Sequence, residues 1–96
     1  MTWIPTIPME HADGDLRRAY EAVYALYPPE YGMTVDAVRR PDGTTDSVVA
    51  AHSLIPQALR HSMSALGAMM SPDLPLTRRQ HEMIATVVSA LNGCFY

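Results

Sequence analysis

Two side chains in the last fifteen residues of this sequence, Glu82 and Cys94, have the types and surroundings that chemistry needs. Cys94 is the only cysteine in 96 residues and directly follows Asn92-Gly93, a pair that tolerates the left-handed conformation in which helices stop. A new helix opening at that point would offer free N–H groups and a favourable dipole, which stabilise a thiolate and make it a nucleophile. A buried structural thiol is the other role open to such a residue. Glu82 precedes a column of small residues, Ala85, Thr86 and Ser89, over which a carboxylate can sit in a pocket and relay protons. The alternative is a solvent-facing glutamate that assists a helix N-terminus through the macrodipole. Along an unbroken helix the two residues would lie about 120° apart, so the break at Asn92-Gly93 is what would fold Cys94 back toward Glu82.

The other chemistry-bearing types form no recognisable site. His11, His52, His61 and His81 lack the spacing of metal ligands, and no metal or cofactor is expected. The stripe that carries Met63 and Met70 reads as core or subunit contact rather than as a soft-metal site. The net charge is −3, there is no lysine, and the arginines occur at most in pairs such as Arg78-Arg79. That leaves no electrostatic footprint for nucleic acid. No apolar run approaches the roughly 20 residues of a membrane span. The start MTWIPTIPMEH has no secretory pattern, and a single cysteine suits a reducing compartment. The expectation is a cytoplasmic protein.

Helices must position Glu82 and Cys94. Pro5 and Pro8 make residues 1–12 an extended arm whose Trp3, Ile4 and Ile7 should dock on a core or a neighbouring subunit. Asp13 caps a helix from Gly14 to about Leu26, with Leu16, Tyr20, Val23 and Tyr27 inward. Residues 28–45 are the least regular, with Thr34–Arg40 readable as helix or strand and Pro41-Asp42-Gly43 as a turn. A short helix capped by Asp46 runs to Leu54, and Pro56 opens a helix to about residue 70 with an apolar stripe of Ile55, Leu59, Met63, Leu66 and Met70. The last helix starts at a Thr77/Gln80 capping box. It should bury Met83, Ile84, Val87, Val88 and Leu91 and end at Asn92-Gly93. The fold class predicted is all-α, one domain over residues 1–96. The hydrophobic fraction is 48% and the charged fraction only 18%, in a chain whose folding buries roughly 60–65% of its surface. Further burial by oligomerisation is the natural remedy.

Two stretches resemble the carboxymuconolactone decarboxylase-like superfamily, in particular its alkylhydroperoxidase D-type members. WIPTIPMEHADGDLRRAYE is similar to the family's I-P-x-I-x-x-x-x-A-x-G-x-L-x-x-x-Y-E opening. LTRRQHEMIATVVSALNGCFY resembles the signature L-[ST]-x-x-x-x-E-[ML]-I-x-x-x-V-S-x-x-N-x-C-x-Y-C-x-x-x-H, with Glu82, Ser89, Asn92, Cys94 and Tyr96 on its spacing. The resemblance implies an alkylhydroperoxidase D-like helical bundle, here its N-terminal part, that assembles as a homo-oligomer, a trimer or hexamer. It implies hydroperoxide as substrate and a dithiol reductant or redox partner protein. Two cysteines of a C-x-x-C do the chemistry, with a Glu and a His relaying protons. Cys94 matches the first, resolving cysteine and Glu82 the relay. The attacking cysteine would follow Tyr96, so the expectation is that the natural protein continues. With these 96 residues alone, an oxidised Cys94 has no intramolecular partner for a disulfide. Two other functions stay open: a lactone decarboxylase-type enzyme on the same scaffold without the cysteine pair, and a non-catalytic oligomeric helical module.

Overall fold

The computed structural model describes residues 3–32, 36, 39, 41 and 47–94. Among these residues three α-helices make up the frame: α1 (Gly14–Tyr24), α2 (Pro56–Met69) and α3 (Arg78–Leu91). Short 3-10 turns lie at Met9–His11, Pro29–Gly32 and Ala50–His52. There is no strand among the described residues, and the chain is all-α.

The core is the seam between α1 and α2. Leu16, Ala19, Tyr20 and Val23 line one side, Leu59 and Met63 the other, and Val49 closes the end. Spacings of three and four residues put the α1 set on one face, and burial of each large side chain contributes about 1.5–3 kcal/mol. Met9, Ala12 and Tyr27 pack at the margin. Gly67, one α2 turn beyond Met63, is also buried, and a Cβ built there would lie only 2.8 Å from Cβ of Leu26. The α2 stripe is therefore Leu59–Met63–Gly67; Ile55 and Leu66, expected inward, are exposed. A glycine at the closest approach lets the two backbones meet, and that geometry turns Leu66 outward.

Ahead of Met9 the N-terminal arm docks by its backbone rather than by its apolar side chains. The Ile7 N–H donates to Ser53 Oγ at 2.8 Å, and the Tyr20 hydroxyl donates to the Ile7 carbonyl at 2.7 Å. Trp3, Ile4 and Ile7 themselves face solvent in the single chain. Residues 9–11 are not extended but make a 3-10 turn, tied by Arg17 Nη1 to the Met9 carbonyl at 3.1 Å.

Several element boundaries differ from expectation. Helix α1 ends at Tyr24, with Ala25 and Leu26 in a turn, and Asp13 occupies the N-cap position without a side-chain cap. Gly14 takes φ +47° at the entry to α1, a conformation that favours glycine. In place of a helix through Leu54 there are turns around the 3-10 segment, with the Ser47 hydroxyl accepting from the Ala50 N–H at 3.1 Å; Asp46 lies outside the described residues. So does most of Thr34–Arg40, along with Asp42 and Gly43, while Pro41 itself is in a turn.

The largest departure concerns α3. At 100° per residue, Arg78, His81, Glu82, Ala85 and Ser89 share one sector; Met83, Ile84, Val87 and Leu91 lie on the other side, with Val88 at the border next to His81. The first sector holds every buried or half-buried residue of the helix, whereas the five apolar residues, expected inside, are 51–83% exposed. The chain seats α3 by its polar and small face. Apolar periodicity marks a face that wants cover, but it does not say whether the cover comes from the same chain.

Candidate functional site around Glu82 and Cys94

The start of α3 is fixed by its cap. Gln80 N–H donates to Thr77 Oγ1 at 3.3 Å, and Thr77 N–H donates to Gln80 Oε1 at 2.8 Å, which completes the expected capping box. Glu82 follows one turn in, half-buried. Arg78 Nε donates to Glu82 Oε1 at 2.6 Å and the Tyr31 hydroxyl donates to the same oxygen at 3.2 Å. The Arg78 guanidinium also lies over the Tyr31 ring, 4.9 Å from its centroid, within the range of a cation–π contact. Tyr31 is 51 residues from Glu82 in sequence, so the pair ties α3 to the turn after α1.

Tyr31 ends a tyrosine ladder. Tyr20 and Tyr24 stack with centroids 5.9 Å apart, Tyr24 meets Tyr27 edge-on at 5.8 Å, and Tyr27 meets Tyr31 edge-on at 5.8 Å. Tyr27 is held further by its hydroxyl on Met63 Sδ at 3.6 Å. Burial pushes the Tyr31 phenol above its ordinary ionisation range. The Glu82 carboxylate adds to the shift by its charge and its hydrogen bond, while Arg78 opposes it.

At the other end, α3 closes in a complete Schellman motif. Gly93 adopts φ +64°, its N–H donates to the Ala90 carbonyl at 3.2 Å, and the Cys94 N–H donates to the Ser89 carbonyl at 2.9 Å. Cys94 is exposed and not a buried structural thiol. It sits at the carbonyl end of α3, so α3 itself supplies none of the free N–H groups of a helix start; the residues after Cys94 lie outside the described ones. The helix is continuous from Glu82 to Leu91, a rise of about 13–14 Å. The bend at Gly93 therefore does not bring Cys94 to the Glu82 carboxylate within this subunit.

His81 is 6% exposed, and neither ring nitrogen has a hydrogen-bond partner among the described residues. Its neighbours in sequence gave no hint of that burial. Tyr31 and Arg78 also went unnoticed as partners of Glu82. Arg78 was legible as an i,i+4 ion pair, but the Tyr31 contact is tertiary and has no local signal. Of the other histidines, His61 is exposed on α2 and His52 holds the Val48 carbonyl through Nδ1 at 2.9 Å. Among the described residues no three His, Cys, Asp or Glu side chains gather to hold a metal ion.

An open cleft of about 440 Å³ lies at the start of α2, between Arg18, Ala19, Ile55 and Arg60. It shares no residue with the α3 cluster. Compared with family models, curated proteins and solved structures, the chain matches none. Among the described residues no helix is long and apolar enough to cross a membrane.

Proposed function

We propose that this chain is a subunit of an alkylhydroperoxidase D-like homo-oligomer that reduces hydroperoxides with cysteine thiols. The observation that carries the reading is Cys94, exposed just past the Schellman stop of α3, at the resemblance's spacing from a Glu82 seated on the inward face of the same helix. An exposed thiol is open to peroxide and to exchange with other thiols.

In this reading an attacking thiolate, supplied from outside these 96 residues, bonds to the distal peroxide oxygen, and the O–O bond breaks to expel the alkoxide. The attacking sulfur becomes a sulfenic acid, and the alkoxide leaves as the alcohol. The Cys94 thiol then condenses with the sulfenic acid, forming a disulfide and water. A dithiol reductant restores both thiols by exchange and leaves as its own disulfide. The sum is one hydroperoxide and one dithiol converted to alcohol, water and disulfide. Glu82 relays the proton that the attacking thiol loses and the leaving oxygen gains.

The test is hydroperoxide consumption by the full protein with a lipoyl-type dithiol, for wild type, Cys94→Ser and Glu82→Gln. Loss of turnover in Cys94→Ser, with the fold kept by circular dichroism, supports the reading. Turnover unchanged by that substitution removes Cys94 from the mechanism.

The exposed apolar face of α3 favours a second reading, a helical assembly module without catalysis. Met83, Ile84, Val87, Val88 and Leu91 form a contiguous patch of the kind that marks protein contacts. A homo-oligomer that consumes no peroxide and is indifferent to alkylation of Cys94 would establish that reading instead.

A further inference from the structure

We infer that Tyr31 is a positioning residue for Glu82: with Arg78 it holds one carboxylate oxygen, Oε1, and leaves the other, Oε2, as the oxygen that exchanges protons. This inference rests on the proposed thiol peroxidase reading and adds to it a residue from a distant part of the chain.

Both donors converge on Oε1, Arg78 Nε at 2.6 Å and the Tyr31 hydroxyl at 3.2 Å, and Oε2 has no partner among the described residues. A carboxylate held by one oxygen keeps a fixed rotamer, and its free oxygen keeps its lone pairs for a proton. The Tyr31 ring is fixed from both sides. Tyr27 meets it edge-on at an interplanar angle of 84° and the Arg78 guanidinium covers its face. Tyr27 is tied in turn to Met63 in the core. The aim of the Tyr31 hydroxyl is thus set by the α1–α2 core, not by solvent. Arg78 alone, one helical turn from Glu82, would let the pair swing together. The Tyr31 contact makes the carboxylate's place a property of the tertiary fold.

The test uses the full protein with Tyr31→Phe and Glu82→Gln. Phenylalanine keeps the ring under Arg78 and against Tyr27 and removes only the donor, so the fold should survive, as circular dichroism will check. The first readout needs no peroxide: the Tyr31 phenol is titrated by NMR of its ring carbon in wild type and Glu82→Gln. Removing the carboxylate charge should lower the pH at which Tyr31 ionises. The second is the pH profile of peroxide turnover. Tyr31→Phe should lower kcat about tenfold, the low end for a hydrogen bond to a charged group, and leave KM unchanged. A Tyr31 titration unmoved by Glu82→Gln overturns the clamp, whatever the activity. A Tyr31→Phe profile identical to wild type overturns the positioning role while the peroxidase reading stands. A wild type that moves the Tyr31 titration but consumes no peroxide removes that reading, and the relay role with it, and leaves Tyr31 as a docking contact.

Discussion

Gly67→Ala sets two effects of similar size against each other, and the structure decides between them. In a helix interior, alanine is about 1 kcal/mol better than glycine. That gain is opposed by the seam between α1 and α2, where the new methyl would sit 2.8 Å from Leu26 Cβ and 3.3 Å from Leu26 Cδ1. The Cδ1 contact is relieved by rotating the side chain, but the Cβ contact is not, because Cβ moves only with the backbone. The turn carrying Leu26, whose N–H is held by the Val23 carbonyl at 3.0 Å, must back away. Overpacking of this kind costs about 1–3 kcal/mol. The net expectation is a destabilisation of about 1 kcal/mol, or roughly 4–8 °C in Tm for a domain of this size. Urea and thermal unfolding followed by circular dichroism, at one fixed protein concentration, measure it. The double mutants sharpen it. Leu26→Ala keeps the offending Cβ, so Gly67→Ala should still destabilise in that background. Leu26→Gly removes it, and there Gly67→Ala should stabilise by about 1 kcal/mol. A Gly67→Ala single variant more stable than wild type would refute the close approach of Leu26 to α2.

Four other substitutions or conditions test separate parts of the account. Ser53→Ala leaves the Ile7 N–H without its acceptor at an almost fully buried site and should cost about 1–3 kcal/mol in urea unfolding. Gly93→Ala forces a side chain into φ +64° and should cost about 1–2 kcal/mol, with fraying confined to the end of α3 by amide exchange. Burial raises the Tyr20 and Tyr27 phenols above the ordinary 10.0. The folded state therefore holds its phenolic protons more tightly than the unfolded chain. That contribution to stability is complete below about pH 10 and is lost as pH rises through the raised values. The urea midpoint should fall as the pH rises above about 10, and less so in Tyr27→Phe. Val87→Glu places a charge in the exposed α3 face, the face offered for the proposed self-association; sedimentation should show a smaller species than wild type while helicity is kept.

Local rules carried the sequence a long way. The Thr77/Gln80 box, the Pro56 start and the Asn92-Gly93 stop each rest on bonds between residues a few positions apart, and all three stand where expected. The Leu16–Tyr20–Val23 face also held, because its partner α2 lies in the same chain. The same periodicity misled on α3, whose apolar face finds no cover among the described residues. At Gly67 a close backbone approach outranked the apolar stripe, and no pattern of neighbours encodes such an approach. Glu82 and Cys94 were visible by type and spacing. Their surroundings were not, since Tyr31 reaches Glu82 across 51 residues and the turn at Gly93 directs Cys94 to the carbonyl end of α3.

The most direct test of the central claim is a thiol count by intact mass, with an alkylating reagent added before or after one equivalent of an organic hydroperoxide. The proposed reading expects two thiols to alkylate before peroxide, Cys94 among them. After peroxide it expects none, with one equivalent of alcohol formed and Cys94 in the disulfide. A Cys94 thiol that still alkylates after peroxide, with no alcohol formed, would contradict it.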